Sequence, residues 1–212
     1  MPELALADEL FVMGHDEYSG KPKLNHDVLS VGLAAAALGE LLIAETLTVD
    51  GGRVTGWTAK QNGDPVVDQI VALLQQVGPG HRVHQWVEHL RGDIKELVAY
   101  RLVGHGVVTR ETSRSFTGRV QVRFPATDPN EATRSVVRLG FLIGRPADFD
   151  PQSALLACIA NAVDLKIVAP TQSPSAVRQR LAELPGRLIP AYRDLLSAVD
   201  SAVAAVALQA HG

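Results

Sequence analysis

Apolar residues recur at helical spacing along most of the chain. Residues 4–13 carry one apolar stripe that ends near Gly14, which predicts a first helix. Residues 28–43 are apolar on almost every side and rich in alanine and glycine, a composition typical of a central helix packed by several neighbours. This run contains Ser30 and Glu40 and is shorter than the roughly 20 residues that cross a bilayer. It therefore predicts a buried helix.

Further helical stripes follow, and several have recognisable starts. Asp64-Pro65 and Asp150-Pro151 place an acidic cap before a proline at the first helical position, and Asp93 is a candidate cap of the same kind. Helices are predicted over residues 65–77, 81–90, 94–103, from Asn130 or Thr133 to 144, 151–165, 173–184 and 190–210.

Two segments have the two-residue alternation of β-hairpins. Residues 46–57 flank the turn Asp50-Gly51-Gly52, and residues 107–110 and 119–124 form the candidate strands of a second hairpin. In the strand predicted over residues 119–124, alternate residues share one face: Arg119, Gln121 and Arg123. The predicted fold class is mainly α: a single-domain helical bundle over residues 1–212, with central apolar helices ringed by amphipathic helices, plus two β-hairpins.

Charge is distributed unevenly. The formal net charge is -3, which does not favour a nucleic-acid ligand, yet residues 101–145 contain eight arginines against three acidic residues. Such a surplus orients a protein on an anionic partner if the arginines share a face. The single cysteine, Cys158, excludes an internal disulfide and lies in an apolar run. No signal peptide is evident at the N-terminus, so a cytoplasmic location is expected.

Several segments together resemble the Golgi phosphoprotein 3 family. They lie in order along nearly the whole chain, at residues 6–16, 31–41, 85–90, 101–111 and 155–165. The first reads LADELFVMGHD and the second VGLAAAALGEL. The resemblance implies a mostly helical protein without enzymatic activity or cofactor. Eukaryotic members bind a phosphatidylinositol 4-phosphate headgroup in a basic pocket beside a hydrophobic hairpin and hold the cytosolic tails of membrane proteins.

The resemblance also indicates where this chain departs from the eukaryotic pattern. Asn25 stands where the eukaryotic pocket has a tryptophan, and Ala34 where it has an arginine. The two later pocket arginines align with Gly92 and Lys95, with Arg91 adjacent. The segment 111–118 at the second hairpin is polar except for Phe116. The chain is accordingly similar to a compact prokaryotic-type member.

The resulting hypothesis is a peripheral membrane protein that docks reversibly on anionic phospholipid or phosphoinositide headgroups. Its candidate headgroup-binding residues are Asn25, Arg91, Lys95, Arg110, Arg114, Arg119 and Arg123. Expected partners are these headgroups and the tails of membrane proteins, with no nucleic acid. Self-association through the hairpin at residues 107–124 is a further expectation.

Other interpretations stay open. The arginines also fit an ordinary solvated surface. A helix followed by a glycine turn and a basic hairpin fits a winged-helix-like nucleic-acid or protein-binding module, although residues 93–102 are balanced in charge. His81, His84 and His89 lack a nearby carboxylate or thiol to complete a metal site, so no metal is expected. No phosphate loop or catalytic triad motif is present, which ranks an enzyme last.

Overall fold

The helical prediction is confirmed by a computed structural model, which describes residues 4–114, 120–145, 150–167, 169 and 172–209. Two short antiparallel sheets interrupt the series of helices. In chain order the elements are α1 Leu6–Met13, α2 His26–Ile43, β1 Leu47–Asp50, β2 Arg53–Trp57, α3 Pro65–Val77, α4 Val83–Leu90, α5 Ile94–Gly104, β3 Glu111–Arg114, β4 Val120–Arg123, α6 Pro129–Ala132, α7 Arg134–Gly144, α8 Pro151–Ala162, α9 Pro174–Glu183, a 3₁₀ turn Leu184–Arg187 and α10 Pro190–Gln209.

Helix α2 lies at the centre of the core, in contact with α1, α4, α5, α8 and α10. By length and composition alone it passes as a candidate membrane span, but most of it is buried inside the protein. Its glycines permit this packing. A Cβ at Gly32 would lie 3.0 Å from Leu10, and one at Gly39 would lie 3.0 Å from Leu6, so larger residues would push α1 away. The prediction of a buried central helix is confirmed.

The helix starts agree with their sequence signals in most places. Asp64 accepts hydrogen bonds from the N–H groups of Val66 and Val67, and Asp150 caps α8 in the same way. These bonds satisfy backbone donors that have no partner within the helix. Asp93 is different, because its side chain makes no capping hydrogen bond and its backbone already has helical dihedrals. Asp93 therefore stands at the N-cap position of α5, as predicted, but it caps the helix with its backbone carbonyl and not with its side chain.

The first hairpin forms where expected, whereas the second starts later than expected. Residues 107–110 are not its first strand; in this stretch Val108 forms only an isolated bridge with Ala126. The strand begins at Glu111, which pairs with Arg123. Val107 and Val108 are buried in the core, and the regular ladder does not reach them because Pro125, whose carbonyl accepts the Thr109 N–H at 3.0 Å, has no N–H to donate in return. Arg119 and Phe116 lie outside the described residues.

Candidate lipid-headgroup interface

Three separate segments meet around the buried side chain of His15. The loop between α1 and α2 is held against the end of β4 by two backbone hydrogen bonds of 3.0 Å, from Phe124 N–H to Gly20 O and from Ala126 N–H to Glu17 O. His15 stacks on Phe11 with ring centroids 4.2 Å apart and meets Phe124 edge-on at 5.8 Å. The first turn of α5 brings the charge of Lys95 close enough to affect His15.

His15 is neutral at physiological pH because of this environment. Its pKa is lowered to about 4, chiefly by burial and also by the charges of Lys95 and Lys23, while a hydrogen bond to Phe11 O opposes the shift. The Nδ1–H group donates that bond at 2.7 Å. An uncharged aromatic core thus supports a loop and a helix end that both carry exposed or half-exposed cations.

Asn25 and Lys95 lie at the two helix starts in this region. Asn25 is the N-cap of α2, and its Oδ1 accepts the N–H of Asp27 at 2.8 Å. Its side-chain oxygen is therefore committed to the helix, and only its amide group is left to donate to a ligand. Lys95 is half-buried, and burial lowers its pKa, although the neighbouring Glu96 carboxylate opposes this.

Two of the candidate arginines are paired with acidic side chains. The Nε atom of Arg91 lies 3.1 Å from a carboxylate oxygen of Glu88, one helical turn back. Arg110 lies 3.4 Å from Glu96, and both side chains are more than half exposed. Exposed pairs of this kind are weak, so a phosphate group can compete for either arginine.

The register of the second hairpin separates the other two described candidates. Arg114 lies directly opposite Val120, whereas Arg123 lies opposite Glu111. Because side chains alternate along a strand, Arg114 is on the hairpin face of Val120 and Val122, and Arg123 is on the other. Arg123 also donates to Gln121 at 3.2 Å on its own face. The two described hairpin arginines therefore lie on opposite faces, and Arg123 is the one of them that lies on the face predicted to be cationic.

Arg101 corrects the interpretation of the arginine surplus. It is not a surface cation, because its side chain is only 3% exposed and contacts carboxylates from three other segments. Its Nε lies 2.9 Å from Asp8 of α1, its Nη2 lies 3.0 Å from Glu40 of α2, and its Nη1 lies 3.1 Å from Asp64, the cap of α3. We call these four residues the Arg101 cluster. It fastens α1, α2 and α3 to α5.

The Arg101 cluster has more acid than base. Burial raises the pKa of Asp8 to about 7 and also raises the pKa of Glu40, with Arg101 opposing both shifts. For Arg101 itself burial acts to lower the pKa, but the carboxylates of Glu40 and Asp8 outweigh it and the pKa is raised. Arg101 occupies the place between the carboxylates that a metal ion would need, and no metal-binding group of three occurs among the described residues.

Other arginines of the surplus are also neutralised. Arg138 lies 2.6 Å from Glu9, which accepts a further hydrogen bond from Ser135, and Arg134 lies 2.9 Å from Glu131. The structure describes seven of the eight arginines of residues 101–145: Arg101 is buried among carboxylates, Arg110, Arg134 and Arg138 each lie beside one carboxylate, Arg114 and Arg123 lie on the hairpin, and Arg145 lies over the ring of Phe141. Composition counts charges in a segment, but it does not report which of them face solvent.

Sequence reasoning missed two lysines that the structure adds to the interface. Lys21 and Lys23 are exposed on the loop that packs against β4, and Lys23 lies 3.6 Å from Glu17. Gly20 makes this packing possible, because its φ is +63° and a Cβ there would overlap the backbone of Phe124 and Pro125. A glycine before a lysine pair was the available signal, but it indicated only a turn.

These features define a class: a mainly helical protein with one hydrophobic core, in which a lysine of a loop and a lysine of a helix start both lie near the buried His15. The family model described as Golgi phosphoprotein 3 (GPP34) matches residues 6–206. That match covers nearly the whole chain, so the protein belongs to the Golgi phosphoprotein 3 family.

Proposed function

We propose that this protein is a peripheral membrane protein that binds anionic phospholipid headgroups, with phosphatidylinositol 4-phosphate as the model ligand. The supporting observation is that two lysines distant in sequence lie near the same buried histidine. Lys23 and Lys95 both help to lower the pKa of His15. Arg123 directly precedes Phe124, which packs on that histidine. The proposal places the protein in the cytoplasm, attached reversibly to a membrane, and includes no catalytic step.

Phosphate chemistry suits this set of side chains. An arginine guanidinium donates two parallel hydrogen bonds to one phosphate, and a lysine acts as a compact positive charge. Among the described residues, Lys21, Lys95, Arg114 and Arg123 have no carboxylate within ion-pair distance. Each basic residue near an anionic bilayer contributes on the order of 1 kcal/mol, so a few together are sufficient for reversible attachment.

The test is vesicle flotation with a matched set of variants. Lys23→Gln/Lys95→Gln/Arg123→Gln removes three charges from the interface, and Lys60→Gln/Lys166→Gln/Arg178→Gln removes three exposed charges elsewhere. The protein should float with phosphatidylcholine vesicles that contain phosphatidylinositol 4-phosphate or phosphatidylserine, and less so at high salt. The interface variant should lose flotation and the control should retain it, with unchanged circular dichroism in both. Equal flotation of the two variants would reject the interface.

The lipid composition of the vesicles sharpens the assignment. Preference for phosphatidylinositol 4-phosphate over phosphatidylserine at equal vesicle charge would indicate a headgroup pocket, and equal binding would indicate attraction to surface charge alone. A winged-helix-like function predicts the opposite selectivity, with a duplex-DNA gel shift and no flotation. The structure gives that rival less support, because α5, its candidate recognition helix, directs Arg101 into the core.

An adaptor role for membrane-protein tails forms part of the same proposal. A cavity of about 700 Å³ beside α6 and α7 has largely apolar walls that include Val107, Val137 and Phe141. Val137 and Phe141 are each more than half exposed, which is unusual for large apolar side chains and favours a contact surface. Phe141→Ser should reduce capture of an apolar tail peptide without affecting flotation. Capture that is indifferent to this substitution would remove the cavity from the proposal.

Self-association through the hairpin at residues 107–124 is a separate part of the proposal. Val120 is 61% exposed on β4, and β3 is exposed along its length, so this hairpin offers free surface for a second copy. Sedimentation velocity of the wild type and of Val120→Ser would test it. A monomer at all concentrations would exclude this contact.

A further inference from the structure

A second cationic feature lies at the first hairpin, away from the interface described above. A polar cavity of about 280 Å³ opens where the turn between β1 and β2 meets the start of α4 and one face of α10. Its polar walls are formed by Arg53, Arg82, His84, Asp194, Ser197 and Ser201. None of these residues belongs to the proposed lipid-headgroup interface.

Two arginines stand directly opposite each other at this cavity. Arg53 and Arg82 form an isolated antiparallel bridge. Backbone hydrogen bonds of 2.9 and 3.0 Å flank the pair on either side, so the two residues do not bond to each other. In a pair of this kind the Cα atoms are about 4.5 Å apart and the side chains leave on the same side. Like charges placed directly opposite are destabilising unless something neutralises them.

Two carboxylates lie near this pair without forming an ion pair with it: Asp50 stands opposite Arg53 in the register of the first hairpin, and Asp194 lines the cavity. Asp194 is the acidic side chain of the cavity, and its Oδ2 already accepts the N–H of Gly52 at 2.8 Å. Within the part of the chain that the structure describes, neither Arg53 nor Arg82 has a carboxylate within ion-pair distance. Arg53 donates from Nη1 to Gly80 O at 2.7 Å, which fixes the position of its guanidinium but adds no negative charge.

The start of α4 adds to the positive potential. Arg82 is the N-cap residue of that helix, so the positive end of the helix dipole points toward the same cavity. The hydroxyl of Ser197 supplies a neutral donor at the α10 wall. Tetrahedral oxyanions are recognised by groups of these kinds: guanidinium groups, helix N-termini and hydroxyls.

We propose that this cavity is a second anion site, which binds a phosphate group between Arg53 and Arg82. The phosphate can belong to a soluble phosphate compound or to a lipid headgroup, since the chemistry of recognition is the same. The site is independent of the proposed lipid-headgroup interface, because the two share no residue. Loss of one should leave the other intact.

Inorganic phosphate is the first probe. Its binding is measured by calorimetric titration and by the shift in melting temperature. The wild type should show saturable binding, and Arg53→Gln/Arg82→Gln should weaken it by about tenfold or more, because two charged hydrogen-bonding groups are lost. Lys166→Gln/Arg178→Gln carries the same charge change at exposed positions and should bind phosphate like the wild type. Circular dichroism checks that each variant is folded. No saturable effect of phosphate in the wild type, or an equal loss in both double variants, would overturn the proposal.

A second variant acts in the opposite direction. Asp194→Asn keeps an oxygen that can accept the Gly52 N–H but removes the negative charge, so it should tighten phosphate binding by about fivefold.

Flotation then identifies the source of the phosphate. Loss of binding to phosphatidic acid vesicles in Arg53→Gln/Arg82→Gln would indicate a lipid headgroup, and unchanged flotation with lost phosphate binding would indicate a soluble compound.

Discussion

Arg101 and Arg114 lie on consecutive elements of the chain but in opposite surroundings. Arg101 is buried among three carboxylates that come from distant segments, whereas Arg114 lies on an exposed strand with no carboxylate within ion-pair distance among the described residues. The former is part of the architecture, and the latter is free to meet a ligand. A charged residue type therefore has no fixed role, because burial and neighbours decide what its charge does.

The largest expected effect comes from removing the buried cation. Arg101→Met should lower the free energy of unfolding by about 3–5 kcal/mol, because three carboxylates would be left without their partner in the interior. Arg114→Met should change it by less than about 0.5 kcal/mol. Urea unfolding followed by circular dichroism measures both. Similar effects of the two substitutions would contradict the division between a structural and a surface arginine.

The next effect tests how the loop is fastened to the hairpin. Gly20→Ala should cost about 2 kcal/mol or more, because alanine at positive φ is strained and its Cβ would overlap the backbone of Phe124 and Pro125. Gly106→Ala is the control, since Gly106 has a φ of +69° but open space around it, and should cost only the conformational strain. Vesicle flotation should fall with Gly20→Ala if the loop lysines belong to the interface. Equal costs for the two alanines would show that the loop is not packed as described.

The pH dependence of stability should also differ between the Arg101 cluster and the exposed second hairpin. The folded pKa of Asp8 is raised above its unfolded value, so its protonated form is favoured in the native state, and stability is lost as pH rises through about 7. Between pH 6 and 8 the wild type should lose about 1 kcal/mol relative to Asp8→Asn, which has no proton to release. Glu111→Gln on the exposed hairpin should show no such difference. Parallel curves for wild type and Asp8→Asn would indicate that Asp8 holds no proton in the cluster.

Substitution of the two hairpin arginines should have the smallest effect on stability and the largest effect on membrane binding. Arg114→Ser/Arg123→Ser should leave the melting temperature nearly unchanged, because surface substitutions contribute little, while it weakens flotation on anionic vesicles. The remaining flotation should depend less steeply on salt, because fewer charges take part. A large fall in melting temperature would instead assign these arginines a structural role.

Local patterns were sufficient for most of the fold. Asp64-Pro65 and Asp150-Pro151 do start helices, and Asp50-Gly51-Gly52 does turn a hairpin, because capping and turn chemistry involve residues that are neighbours in sequence. The same reasoning placed the start of the second hairpin too early, at residues 107–110, because Pro125 opposite this segment has no N–H with which to continue the ladder. Asp93 takes the predicted N-cap position of α5, but its side chain makes no capping hydrogen bond.

The amino-acid sequence by itself determined the helical class, the buried α2, the two hairpins and membership of the Golgi phosphoprotein 3 family, because these depend on periodicity and local chemistry. Only the tertiary structure decided which arginines face solvent. It buried Arg101 with Asp8, Glu40 and Asp64, placed Arg53 opposite Arg82, and brought Lys23 and Lys95 to the same histidine. Electrostatic energy depends on distance and burial, and neither is encoded in the order of charges along the chain.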